Sequence, residues 1–140
     1  MTPLARYAEA FETVTPETLD RFRDLVTDDV RFRDPFNEGE GVEAFLRVFE
    51  QMYEDTDDPQ FKVTRVVEGE PVGFITWDFT FRPKGKQDVW TVDGATEVHL
   101  TPSGKISAHL DHWDAGGQFY ARLPVLGWMI KQVKRRMALR

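Results

Sequence analysis

At Pro59 the apolar residues of this 140-residue chain change their spacing. Before it they recur every three to four residues, the period of a helix; after it they alternate, the period of a strand. One such switch places helices first and long strands after. That is an α+β order, not the alternation that builds parallel βαβ units.

Before the switch, Thr2-Pro3 reads as an N-cap followed by proline at the first helical position. Leu4, Tyr7, Ala8 and Phe11 then share one helix face. Thr15-Pro16 repeats the start signal, and Leu19, Phe22, Leu25 and Val26 mark a second short helix. A short alternating strand, Val30-Arg31-Phe32-Arg33-Asp34, follows. A third helix is expected over Val42 to Tyr53, with Phe45, Leu46 and Phe49 inward, and Glu54 to Pro59 is expected as a solvated loop. After the switch, strands are predicted over Phe61–Glu68, Val72–Arg82, Val89–Thr101 and Lys105–Asp114. Short turns rich in glycine and proline separate them, which favours an antiparallel meander. Strands this long need curvature, and the helices need a face to cover. The expected fold is therefore a cone: a curved antiparallel sheet wrapped around three N-terminal helices, plus a C-terminal amphipathic helix. Residues 1–121 form the cone and 122–140 the helix packed on it. The open end of such a cone leaves space for a small apolar molecule.

With no cysteine, disulfides, thiolate metal sites and a cysteine nucleophile are excluded, and a reducing cytoplasm is the expected location. The first residues, MTPLARYAEAFETV, carry acids and lack the apolar run of a signal peptide. His99, His109 and His112 are too scattered for a recognisable metal pattern, and glycine-rich nucleotide motifs are missing, so no metal or cofactor is expected. The net charge is −6, but Arg122 to Arg140 holds six basic residues and no acid, leaving the rest at −12. That body is unsuited to nucleic acid. In the tail, Leu126, Met129, Ile130, Val133 and Met137 follow helical spacing between cations. Docking on the chain's own cone is the favoured reading; weak contact with an anionic membrane surface is the alternative.

Several short motifs stand in a familiar order: Ala5-Arg6-Tyr7, Phe32-Arg33-Asp34-Pro35-Phe36, Gly104-Lys105-Ile106 and Asp111-His112-Trp113-Asp114. Together they resemble the nuclear transport factor 2-like superfamily, and within it the SnoaL-like and ketosteroid-isomerase-like proteins. The resemblance implies a homodimer. It matches Asp34 to the proton-moving base of the isomerases and Tyr7 to their tyrosine oxyanion donor. The position of their second donor, an aspartic acid, falls on Thr96, which departs from the isomerase pattern. Asp111 resembles the acid of SnoaL-like polyketide cyclases and of limonene epoxide hydrolase.

The residues carry their own reading. Alternation puts Asp34 on the apolar side with Val30 and Phe32, where desolvation would raise its pKa; a strand-ending Asp-Pro turn is the alternative. Thr96 faces inward with Val92, Val98 and Leu100. Ser107, His109, Asp111 and Trp113 share one face of the last strand, opposite Ile106, Ala108, Leu110 and His112. If that face lines the cone, Asp111 and His109 form an acid–base pair; otherwise they pair with arginines on a wet sheet face. Trp77, Trp113 and Phe32 are candidate walls. Three functions stay open: acid–base enzyme of the isomerase or cyclase type, non-catalytic binding or scaffold module, and peripheral membrane protein working through the basic tail.

Overall fold

The computed structural model describes residues 1–139. Helix α1, Pro3–Glu12, starts as its sequence requires: the Thr2 hydroxyl accepts the Ala5 N–H at 3.0 Å, and Pro3 fills the first turn. Leu4, Tyr7, Ala8 and Phe11 are its buried face. The second helix departs from expectation. Residues Leu19–Asp24 form a 3-10 turn, and Leu25 and Val26 lie beyond it. The reason is legible in the spacing, because Leu19, Phe22 and Leu25 recur every three residues, the 3-10 period. Strand β1, Val26–Arg33, hairpins into the short β2, Glu38–Glu40. Gly41 then turns the chain into α2, Val42–Asp55, at φ +102°, a conformation glycine adopts without steric cost. Phe45, Leu46 and Phe49 are the buried face of α2.

The expected solvated loop after α2 does not form. Strand β3, Thr56–Val67, begins at once and runs through Pro59. β3 is the edge strand, and the pairing skips between Asp57 and Gln60, so a proline that cannot donate costs the ladder nothing. β4 (Val72–Pro83), β5 (Trp90–Leu100) and β6 (Ile106–His112) complete the antiparallel meander. The sheet order is β2-β1-β6-β5-β4-β3, with β1 parallel to β6. Pairing shifts in β1, β3 and β6 bend the sheet around the helices. The result is the expected α+β cone.

One shift matters for the site. Leu100 pairs with Ile106 and His99 with Ala108, so Ser107 is an extra residue. Ile106 packs into the core opposite Val26, and three residues on His109 also turns inward, beside Phe32. The strict alternation that grouped Ile106 with Ala108 and Leu110 is broken there. The core is aromatic: Phe11, Phe22 and Phe45 pack on the Tyr7 and His109 rings at centroid distances of 4.9–5.9 Å, and Phe49 packs on those three phenylalanines at 5.4–5.5 Å. Burial of each such ring is worth about 1.5–3 kcal/mol.

After β6 come a short helix α3, Ala115–Gln118, a 3-10 turn Tyr120–Arg122 and helix α4, Pro124–Met137. α4 leans mainly on the preceding turn, where Gly127 approaches Ala121; Lys134 reaches Asp114 at 3.9 Å. The expected docking of this helix on the cone is thus confined to its first turns, and its apolar side chains Leu126, Met129, Val133 and Met137 are exposed.

Candidate functional site

Sheet register brings two rows of residues together inside the cone. Ile75, Thr96 and Asp111 are neighbours across β4, β5 and β6; Val98, His109 and Phe32 are neighbours across β5, β6 and β1. Two sources of hydrogen bonds meet on Asp111. From one side the Trp77 indole N–H donates to the Thr96 hydroxyl at 2.8 Å, and that hydroxyl donates to Asp111 Oδ1 at 2.6 Å. From the other, His109 Nε2 lies 2.9 Å from the same Oδ1, and His109 Nδ1 lies 2.9 Å from the Tyr7 hydroxyl.

The burial of Tyr7 assigns the protons. No part of its side chain reaches solvent, and burial, reinforced by the charge of Asp111, holds its pKa well above 10. As a neutral phenol it has a proton to donate to Nδ1, and in that arrangement the imidazole proton sits on Nε2, facing Asp111. With Asp111 as a carboxylate, every donor in the chain has one acceptor. Oδ1 receives both bonds, and Oδ2 accepts none from the described residues. The Asp111 side chain is 23% exposed, the most accessible member of the network after four buried ones.

An aromatic cluster forms where β6 ends. Phe36 packs edge-on against Trp113, Phe119 and Tyr120 at 5.2–6.1 Å, and Trp90 meets Phe119 at 5.6 Å. This cover is tied to strand β5 where β6 has ended. The Gln118 side chain accepts the Asp93 N–H at 2.7 Å and donates to the Asp93 carbonyl at 2.9 Å, as a neighbouring strand would. Arg122 donates to the Thr91 carbonyl and lies 5.0 Å over the Trp90 ring.

The structure thus brings together Tyr7, His109, Asp111, Thr96 and Trp77, and sets Trp113 against Phe36 outside that network. Phe32 is buried against Phe45 at 6.1 Å, as core. Asp34 does not join them. It is half-buried just past β1, and its Oδ1 accepts the backbone N–H groups of Phe36 and Asn37 at 2.7 Å each. The expected desolvated carboxylate is corrected to a turn-closing one, because the strand ends at Arg33 and its backbone needs a cap there. The Tyr7 hydroxyl, expected as an oxyanion donor, has His109 Nδ1 as its partner at 2.9 Å. Two open grooves, of about 380 and 330 Å³, lie outside the cone, beside Lys62 and Asp78 and beside Arg31 and Glu38. Among the described residues no three histidines or carboxylates gather to hold a metal. Gln118, Phe119 and Tyr120 escape sequence reasoning, since the stretch after Gly116-Gly117 has no period; an aromatic pair followed by Arg122 was the available signal.

Residues 4–109 match the model of the SnoaL-like domain family. The chain belongs to that family. No curated protein sequence matches this SnoaL-like domain significantly. Among solved structures it is similar to a hypothetical protein with a ketosteroid isomerase-like fold from Catenulispora acidiphila DSM 44928, in complex with trimethylamine. The two are 18% identical with a TM-score of 0.73, covering 91% of this chain and 98% of that one. An NTF2-like protein of unknown function from Exiguobacterium sp. 255-15 is 21% identical, at TM-score 0.70, over 81% of this chain and 98% of that one. The epoxide hydrolase/cyclase-like enzyme SalBIII, with a role in pyran ring formation in the polyether salinomycin, is 17% identical, at TM-score 0.68, over 80% and 90% of the two chains. These likenesses establish the nuclear transport factor 2-like fold.

Proposed function

We propose that this SnoaL-like domain takes a small apolar molecule at the aromatic mouth of its cone, with Asp111 as the group that moves a proton on it. The observation that carries the reading is the asymmetry of one carboxylate: Oδ1 held by two donors, Oδ2 open. A carboxylate fixed by one oxygen keeps the other in a defined place, the first requirement of a general base. Oδ2 accepts a proton from a carbon beside a carbonyl and returns it elsewhere on the same substrate, so the step balances without a cofactor. His109, aligned by Tyr7, and Thr96, aligned by Trp77, position the carboxylate. Rearrangement or ring closure of an enolisable compound fits this chemistry and suits a relative of a cyclase-like enzyme. Asp34 closes a turn in this scheme and is not the base.

A second reading, a non-catalytic binding module, is favoured by the packing of Phe36, Trp113 and Phe119 across the mouth. One experiment separates them. The protein is incubated with 2-tetralone, an enolisable apolar ketone, in D2O, and deuterium uptake at the carbon beside the carbonyl is followed by NMR. Catalysed exchange that Asp111→Asn removes and Asp34→Asn preserves is the expected result. Saturable binding without exchange in the unaltered protein supports the module. Exchange that survives Asp111→Asn overturns the assignment.

A further inference from the structure

Helix α4 presents a face that the cone does not cover. Leu126, Met129, Val133 and Met137 lie along one side, 40%, 52%, 62% and 82% exposed, with Ile130 at the margin. The helix meets the body at Gly127, which allows the backbone of Ala121 to approach, while Val125 and Trp128 away from the row are also exposed. An exposed row of flexible apolar side chains over about three turns is uncommon on a soluble monomer's surface and marks a site of attachment.

Charge identifies what attaches. After Asp114 the chain carries no acidic residue, and α4 holds Lys131, Lys134, Arg135 and Arg136. Lys134 and Arg136 flank the apolar row, and Lys131 and Arg135 lie behind it. In a symmetric pairing of two α4 helices these cations would meet one another, with no carboxylate on α4 and only Asp114, 3.9 Å from Lys134, beside them. Nucleic acid would satisfy the cations and leave the apolar row in water. An anionic lipid surface satisfies both, since acyl chains take the apolar row and headgroups the flanking cations. No helix of the described residues is long and apolar enough to cross a membrane. The rest of the chain, at net −12, is repelled by the same surface, which leaves α4 as the point of contact.

We infer that α4 is an interfacial anchor that docks the domain, flat and reversibly, on an anionic membrane. Because α4 follows directly on the Phe119–Arg122 cover, docking sets the mouth of the cone beside the bilayer, where apolar molecules concentrate.

The test is co-sedimentation of the full chain with phosphatidylcholine vesicles, with and without 30 mol% phosphatidylglycerol, at about 50 and 500 mM salt. Binding to the anionic vesicles, lost at the higher salt and absent on phosphatidylcholine alone, is expected. Val133→Asp should abolish it, and the double variant Lys134→Gln/Arg136→Gln should weaken it roughly thirtyfold, with melting temperatures unchanged. Failure to bind anionic vesicles at low salt overturns the inference, as does binding that Val133→Asp leaves intact. A dimer by light scattering that Val133→Asp splits, without vesicle binding, reassigns the face to a second copy of the chain.

Discussion

The Tyr7 hydroxyl and His109 Nδ1 stand 2.9 Å apart in a place water does not reach, although 102 residues separate them in sequence. Helix α1 and strand β6 are joined by that bond, and with the phenol as donor the imidazole proton sits on Nε2. Replacing Tyr7 by Phe keeps the ring and strands Nδ1 in hydrocarbon. The expected cost is about 1–3 kcal/mol, read by urea unfolding. Histidine NMR should show the His109 tautomer preference relaxed; an unchanged 15N pattern would contradict the proton assignment.

The same burial makes stability depend on pH at the alkaline end. Tyr7 has its pKa raised well above 10, by burial and then by Asp111. Below about pH 10 the phenol is neutral in both states and contributes no slope. Above it the unfolded chain loses the proton and the folded one keeps it, so stability falls by about 1.4 kcal/mol per pH unit until the folded pKa is reached. Denaturant curves between pH 9 and 11.5 should show the fall, and Tyr7→Phe should remove its share.

Thr96 links the Trp77 indole to Asp111. Thr96→Val keeps the shape and deletes both bonds, leaving a buried N–H without an acceptor. A loss of about 1–3 kcal/mol is expected, with Thr96→Ser losing less than half of it. Equal melting of the two variants would show that the hydroxyl is idle.

Gly94 stands opposite Trp77 in the sheet. A β-carbon there would lie 2.8 Å from the Trp77 ring and from Trp113 Cβ, and 2.9 Å from the His112 carbonyl. Since the carbonyl belongs to the paired strand, it cannot move aside. Gly94→Ala should cost about 1–3 kcal/mol by overpacking, and near-ultraviolet circular dichroism should register the displaced indole.

The cover over the mouth rests on Gln118. Gln118→Ala removes both bonds to Asp93 at an exposed site. Global melting should move little. Amide exchange over residues 113–123 should quicken, with acrylamide quenching of tryptophan rising alongside. Unchanged exchange would mean that the aromatic contacts hold the cover by themselves.

Period and punctuation made most of the cone legible. The face of α1, the meander and the inward set Val92, Thr96 and Val98 follow from local spacing. Two elements were misjudged where spacing was ambiguous or overruled. The Leu19–Leu25 apolar residues fit either helix type, and edge position made Pro59 acceptable in a strand. The site was legible in composition more than in assembly. Tyr7, His109, Asp111, Thr96 and Trp77 could be singled out, but their connection depends on long-range register. Asp34 was misplaced because alternation was carried one residue past the strand's end.

The unpaired Ser107 has a consequence for descent. Both Ile106 and His109 need the interior, and one irregularity grants it to both. If that irregularity slid to the far end of the strand, Ala108 and Leu110 would take the places of His109 and Asp111 while every strand kept its neighbour. A lineage could gain or silence this chemistry without altering its architecture, so relatives are better compared by where the extra residue sits than by aligned letters.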